Sequence, residues 1–231
     1  MTVRIAQVSA HTSPLAPLGG RAAGGMNVYV LELSRELARL GYEVDMFTRL
    51  EGDFPLVEQV APNLRLVRIE AGPKEPIAKE EIVPHLPAFA EGVRRFAEAQ
   101  PGGYQVIHSH YWQSARAGVA VARALDIPHV VMFHTLGEVK NRARISEQEP
   151  TQRIRSERTI ARRANAIVTA SPHERELLER YYGADPSRME TIPCGVDLDL
   201  FRPLDRAECR SELNLPPDAP VLLFFGFVRR Y

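Results

Sequence analysis

Short apolar runs alternate with amphipathic stretches along most of the chain. Residues 3–10 (VRIAQVSA) are an apolar run ending in a loop, which predicts a buried strand. Over 27–40, Val30, Leu33, Leu37 and Leu40 recur at helical spacing, with Gly41 as the stop. Residues 43–49 (EVDMFTR) and 64–71 (LRLVRIEA) alternate in character and predict strands. A helix over 84–99, a strand over 106–111 (VIHSHY), an Ala-rich helix over 113–125 and a strand over 129–135 (HVVMFHT) follow. A basic helical stretch over 152–164 leads to a strand over 166–170. Ser171 is placed to cap the next helix, with Pro172 first and Glu174 third in it; that helix runs to Tyr182 and stops at Gly183. Residues 189–193 are the last strand of the block.

This alternation means a mostly parallel sheet covered by helices on both faces, a doubly wound α/β domain. Ligands bind such sheets at the carboxyl ends of the strands, so the residues just past each strand are the first candidates for a site. The tail breaks the pattern. After Arg202-Pro203 come a helical piece over 205–213, the turn Pro216-Pro217-Asp218 and an apolar strand over 221–228 (VLLFFGFV). A buried strand needs an element to cover it, so 206–231 reads as a linker and the first strand of a second, truncated domain, and 1–205 as the first domain. An uncovered strand of this kind is also a pairing hazard, so oligomers or poor solubility are expected.

Composition narrows the class. The 231 residues carry 29 Lys+Arg and 29 Asp+Glu, with 45% apolar and 25% charged residues, as expected of a soluble globular protein. The length allows one large domain or one domain plus a fragment. No apolar stretch approaches the roughly 20 residues of a membrane span, and MTVRIAQVSA has no secretion-signal pattern, so a cytoplasmic location is expected. Cys194 and Cys209 form no C-x-x-C pair, which leaves neither a disulfide framework nor a zinc site. The neutral balance argues against a nucleic-acid partner.

Three groups of residues are candidates for chemistry. The segment Gly19-Gly20-Arg21-Ala22-Ala23-Gly24-Gly25 lies between the first strand and the first helix, where backbone N–H groups and the helix dipole favour an anion. Its spacing fits neither a dinucleotide fingerprint nor an ATP-type phosphate loop, and a plain flexible turn is the alternative. Histidines gather at strand ends: His11, the same-face pair His108 and His110, and His134. Without a partner acid motif the pair reads as structural rather than as a metal site, whereas His134 sits where substrates dock. From Lys140 to Arg163 the chain has a local basic excess suited to a phosphorylated substrate, although most of these residues read as a solvated helix face with one or two turned inward.

The stretches 24–30 (GGMNVYV), 108–112 (HSHYW), 133–136 (FHTL) and 192–197 (IPCGVD) with 201–203 (FRP) resemble the family-4 retaining glycosyltransferases of the GT-B fold. The flavour is that of the D-inositol-3-phosphate glycosyltransferases of mycothiol biosynthesis, then of the sucrose-phosphate synthases. The resemblance covers residues 1–205, the family's Rossmann-like, acceptor-binding domain. It implies that Gly24 and Gly25 meet the donor diphosphate and that Asn27 contacts the acceptor. It implies that His134 is the histidine beside the donor sugar and the reacting centre, and that Lys79, Tyr111, Thr135 and Arg155 grip the acceptor and its phosphate. No metal and no cofactor beyond a nucleotide-sugar co-substrate, a UDP-sugar, is implied; the acceptor is a small polyol, sugar or sugar phosphate.

One departure stands out. Family members carry a Gly-Arg-x-x-x-x-Lys loop and an E-x7-E motif in a second domain of comparable size. Here Gly226 is followed by Phe227, Arg229 or Arg230 takes the arginine's place in a variant loop, and E-x7-E is absent. The expected function is therefore hexosyl transfer from a nucleotide-sugar, with this chain holding mainly the acceptor half and little activity alone. The competing class is a non-catalytic partner subunit docking through the C-terminal strand. A dinucleotide-dependent oxidoreductase lacks its glycine spacing, and Asp45 falls inside a strand rather than at its end.

Overall fold

In a computed structural model, which describes residues 2–17, 24–143 and 148–223, the alternation is realised as one eight-stranded sheet. The elements are β1 (Arg4–Val8), α1 (Gly25–Arg39), β2 (Glu43–Arg49), β3 (Val57–Ala61), β4 (Leu64–Ile69), a 3-10 turn (Lys79–His85), α2 (Leu86–Glu98), β5 (Val106–His110), α3 (Tyr111–Leu125) and β6 (His129–Met132). They continue with α4 (Gly137–Ala143), α5 (Thr151–Arg163), β7 (Ala166–Thr169), α6 (Pro172–Tyr182), a 3-10 turn (Pro186–Arg188), β8 (Met189–Thr191) and α7 (Arg206–Glu212). The strand order is β3-β4-β2-β1-β5-β6-β7-β8, and every pairing is parallel except β3 with β4. The chain winds outward from β1 through β2 to β4, then crosses to β5 and winds the other way. The switch point between β1 and β5 is where such a sheet opens a crevice for a ligand.

Helices cover the sheet as amphipathic spacing requires. Val30 and Ala38 of α1 pack over Ile5, Val44, Met46, Leu64 and Leu66. Ala6, Val8, Phe47 and Val67 point the other way, into Phe89 and Val93 of α2 and Val121 of α3. A third cluster joins Val131, Phe133 and Ile167 to Ile160, Leu178 and Tyr182. Each fully buried Val, Leu, Ile, Met or Phe among them contributes on the order of 1.5–3 kcal/mol. Asp45, buried in β2, accepts from Arg65 Nε at 2.6 Å and Nη2 at 2.7 Å and from the Tyr104 hydroxyl, so it serves the sheet rather than a ligand.

The caps of α6 are those expected: Ser171 Oγ accepts from Glu174 N at 3.2 Å, Glu174 Oε2 accepts from Ala170 N at 2.8 Å, and Gly183 ends the helix at φ 65°. Several expectations need correction. The helix expected from residue 84 begins at Leu86, because the chain up to His85, with Pro84 in it, takes the tighter 3-10 form. The strand expected over 129–135 leaves the sheet after Met132, and that over 106–111 ends at His110. The strand β3 and the helix α4 were not expected. Of the strand expected over 221–228, residues 221–223 have no regular structure, and the rest lies outside the described residues.

The chain divides into two compact units, Met1–Cys194 and Gly195–Tyr231. In the second, Asp205 Oδ1 caps α7 by accepting from Ala207 N and Glu208 N, both at 2.9 Å. No helix among the described residues is long and apolar enough to cross a membrane.

Candidate active site

Three parallel strands deliver their carboxyl ends to one edge of the sheet. After β1 the chain runs through Ser9 and Ala10 to His11, held by Ser9 Oγ donating to Thr12 O at 2.7 Å and Ala10 N donating to Ser114 Oγ at 2.9 Å. At the end of β5 the chain reverses at Tyr111, with φ 72°, straight into α3. Past β6 it reverses again at His134, with φ 60°. A positive φ is uncommon in a residue with a side chain and costs of order 1–3 kcal/mol, and such strain gathers at functional sites. Both strained residues lie at the crevice.

Behind them runs a chain of imidazoles on the sheet face that α1 covers. Gln7 Oε1 lies 2.7 Å from His110 Nε2, and His110 Nδ1 lies 3.0 Å from His134 Nε2. Tyr29 of α1 presents its ring to both, at 5.9 Å from His110 and 5.2 Å from His134. His108 packs on His110 with ring centres 4.3 Å apart, and its Nε2 is buried without a hydrogen-bond partner among the described residues. Burial disfavours the charged form, so every one of these rings is neutral at pH 7. His108 is pushed down to about 3 and His134 to about 4, and His110 lies well below the ordinary value. His11 is also pushed down to about 3, first by burial and then by the positive charges of Lys79 and Arg153.

The cationic side of the site is Arg153 of α5, only 1% exposed. Its Nη2 donates at 2.9 Å to both the carbonyl and the hydroxyl oxygen of Thr135, and its Nε donates to Glu157 Oε1 at 2.7 Å. The guanidinium lies 4.9 Å from the ring centre of Tyr111. Nη1 is buried 2.9 Å from Glu149 Oε2, an ion pair whose angle does not make it a hydrogen bond. Glu157 is held by Arg153, by the Tyr182 hydroxyl at 2.8 Å and by Gly137 N at 3.0 Å. On the far side Gln113 Nε2 donates to the carbonyl of Lys79, tying that loop to α3.

The residues singled out from the sequence divide accordingly. His134, Tyr111 and Thr135 come together at the crevice. Asn27 is buried at the start of α1, where Nδ2 donates to Thr12 Oγ1 at 2.8 Å and Ser13 O at 2.6 Å, and Oδ1 accepts from Gly24 N at 3.2 Å. Gly24 and Gly25 open α1, and among the described residues nothing lies within 4 Å of where a Cβ would stand. Lys79 is exposed, with Nζ 3.6 Å from Glu80. Arg155 is exposed on α5, whereas Arg153 is buried. Residues 19–23 and Arg229 lie outside the described residues. Arg153, Gln7 and Glu157 went unrecognised; the signal for Arg153 was its spacing of four from Glu149 and Glu157, which marks a helix face paired by charge.

The sequence profile described as Glycosyltransferase Family 4 matches residues 23–200. The chain is 44% identical over 230 residues to "D-inositol 3-phosphate glycosyltransferase 2" of Catenulispora acidiphila, covering 98% of this chain and 54% of that protein. It is 43% identical over 236 residues to a D-inositol 3-phosphate glycosyltransferase of Xylanimonas cellulosilytica, covering 98% of this chain and 57% of that one. Among solved structures it is similar to sucrose-phosphate synthase from Thermosynechococcus elongatus, with a TM-score of 0.84 and 36% identity over 94% of this chain and 54% of that one. The chain thus spans about half the length of the curated relatives it matches. The α/β, mostly parallel fold of a GT-B half expected from the sequence is the one observed.

Proposed function

The chain belongs to Glycosyltransferase Family 4, and from that premise we propose that it provides the acceptor side of a retaining, nucleotide-sugar-dependent hexosyltransferase. The acceptor is a small phosphorylated polyol of the D-inositol 3-phosphate class, as in the names of the relatives. One observation carries the reading: Tyr111, His134, Thr135 and Arg153 converge at the switch point of the sheet, where the Arg153 guanidinium holds both oxygens of Thr135 and lies over the ring of Tyr111.

Each group then has a task. The histidines are neutral, so the acceptor phosphate meets the guanidinium of Arg153, whose charge Glu157 and Glu149 already balance, and draws its net positive charge from Lys79 on the segment that Gln113 ties down. Arginine suits this because its fixed fork matches phosphate oxygens. Arg153, the inward residue of the pair, takes the role that the sequence reading gave to Arg155. Thr135 and Tyr111 line the same pocket and fix the polyol; Asn27 shapes it by holding residues 12 and 13. His134 stands beside the transferred sugar. As the donor bond breaks, charge builds on the leaving diphosphate, and the start of α1 at Gly25 offers a backbone N–H and the helix dipole to it, while the Gly24 N–H is held by Asn27 Oδ1. We take the donor to be a nucleotide-sugar of the UDP class. Residues 1–205 are read as the acceptor-binding domain and 206–231, with Arg229, as the beginning of the donor-binding one.

Calorimetric titration of the chain with D-inositol 3-phosphate, myo-inositol and inorganic phosphate tests the reading. The phosphorylated polyol binds more tightly than either of its parts. Thr135→Val weakens it roughly tenfold, about 1.4 kcal/mol, and Arg155→Ala leaves it unchanged. Equal affinity for all three compounds, or a loss in Arg155→Ala equal to that in Thr135→Val, rejects it.

A further inference from the structure

The interior imidazole chain has a direction. A neutral imidazole carries one proton on one of its two nitrogens, and the partner of the other nitrogen decides which. Gln7 Oε1 is an acceptor only, 2.7 Å from His110 Nε2, so that nitrogen carries the proton and donates. His110 Nδ1 is then a bare lone pair, and it lies 3.0 Å from His134 Nε2. His134 Nε2 must donate to it, which leaves His134 Nδ1 bare; among the described residues that atom has no partner. Neutrality of both rings, on which the argument depends, follows from their burial.

We propose that Gln7, acting through His110, is a positioning residue that holds His134 as its Nε2–H tautomer and so presents an Nδ1 lone pair to the ligand. The chemical consequence is selective. An Nδ1 lone pair accepts a hydrogen bond from a hydroxyl group, whereas an Nδ1–H would donate to a phosphate or carboxylate oxygen. His134 is thereby set to read a sugar hydroxyl and to leave anion binding to Arg153 and the backbone. The inference rests on the proposed function only for the identity of the ligand that meets His134.

The geometry favours a relay over ordinary core packing. Gln7 is fully buried on the central strand and spends its carbonyl oxygen on His110. Tyr29 packs its ring edge-on against both imidazoles, at 5.9 Å from His110 and 5.2 Å from His134. The strained backbone at His134 holds the receiving ring at this distance.

The test is long-range 1H–15N correlation on the whole chain with 15N-labelled histidine near pH 7.5, with His134→Gln assigning the His134 signals. The expected wild-type spectrum has a protonated Nε2 and an unprotonated Nδ1 at His134. Gln7→Leu removes the acceptor and turns the single tautomer of both His110 and His134 into a mixture. Gln7→Glu, still an acceptor at that position, restores the wild-type pattern. An Nδ1–H at His134 in the wild-type chain, or a His134 pattern unmoved in Gln7→Leu, overturns the proposal. Should Gln7→Leu fail to fold, the wild-type and Gln7→Glu spectra decide it alone, because the opposite orientation of the Gln7 amide puts the proton on His134 Nδ1. Failure of the functional reading looks different: the tautomers stay as stated, and the His134 signals do not respond to added UDP-glucose.

Discussion

Arg153 Nη2 donates to two oxygens of one residue, the carbonyl and the hydroxyl of Thr135, each at 2.9 Å, across the crevice from α5 to the loop after β6. The same guanidinium neutralises Glu157, whose carboxyl is pushed up by burial and is otherwise held only by neutral donors. Removing one member of a buried pair costs about 3–5 kcal/mol, because the remaining charge stays in a poor solvent. Arg153→Met is therefore expected to lower stability by that amount, and Arg153→Lys, which keeps the charge without the fork, by less. Arg155→Ala, two residues along the same helix and exposed, is expected to stay within about 0.5 kcal/mol of wild type. Urea unfolding of the three variants checks this; equal losses at both positions contradict the assignment.

The buried histidines make stability depend on pH. His11 and His108 lie at about 3 and His129 and His134 at about 4 in the folded chain, against 6.5 when unfolded. Between these limits the unfolded chain binds protons that the folded chain refuses, so stability falls as pH falls. No penalty operates above about pH 6.5; below it, each such ring contributes a slope of up to about 1.4 kcal/mol per pH unit down to its folded value. Glu157 and Glu174, both raised by burial, act in the opposite sense but are fewer. The midpoint of urea unfolding is expected to drop steeply between pH 6.5 and 4.5. A flat profile over that range shows that the rings are protonated in the fold.

Periodicity exposed most of this architecture because most elements have one face in the core. The alternating β2, the Ser171 cap and the Gly183 stop were all readable for that reason. β3 was not: it is an edge strand with no buried residue, so its sequence VEQVA has no face to advertise. Of the candidate site, His134 was legible from its strand end and Tyr111 and Thr135 only from the resemblance; the structure brings the three to the ends of β5 and β6. Arg153 and Arg155 are indistinguishable as letters in a basic helix, and only the direction of α5 relative to Thr135 separates them. Gln7 looks like a lone polar residue in a strand until β5 places His110 against it.

Gly118 is a helical glycine whose usual cost is outweighed by contact. A Cβ there would stand 2.1 Å from Ser109 Oγ and 2.7 Å from His129 Nε2, the pair whose 2.9 Å hydrogen bond joins β5 to β6 under α3. In an exposed helix, Gly→Ala stabilises by roughly 1 kcal/mol. Gly118→Ala is expected to reverse that sign and destabilise by about 1–3 kcal/mol, because the helix must lift or the hydrogen bond must break. Thermal unfolding gives the sign directly, and a raised melting temperature would falsify the close approach of α3.

Asn27 was singled out as an acceptor contact, yet all its polar atoms already have partners: Thr12, Ser13 and the backbone of Gly24. Its effect on a ligand is therefore expected to be indirect, through the loop after β1 that leads from His11 to α1. Asn27→Ala strands three buried or half-buried partners, and an unmade hydrogen bond of that kind costs about 1–3 kcal/mol. Asn27→Asp keeps the acceptor for Gly24 N but loses both donors, and sets a carboxylate against the Ser13 carbonyl. The expected order of stability is wild type, then Asn27→Ala, then Asn27→Asp, read from urea midpoints at pH 7.5. A direct contact would predict the opposite emphasis: little change in stability in either variant and loss of binding in both.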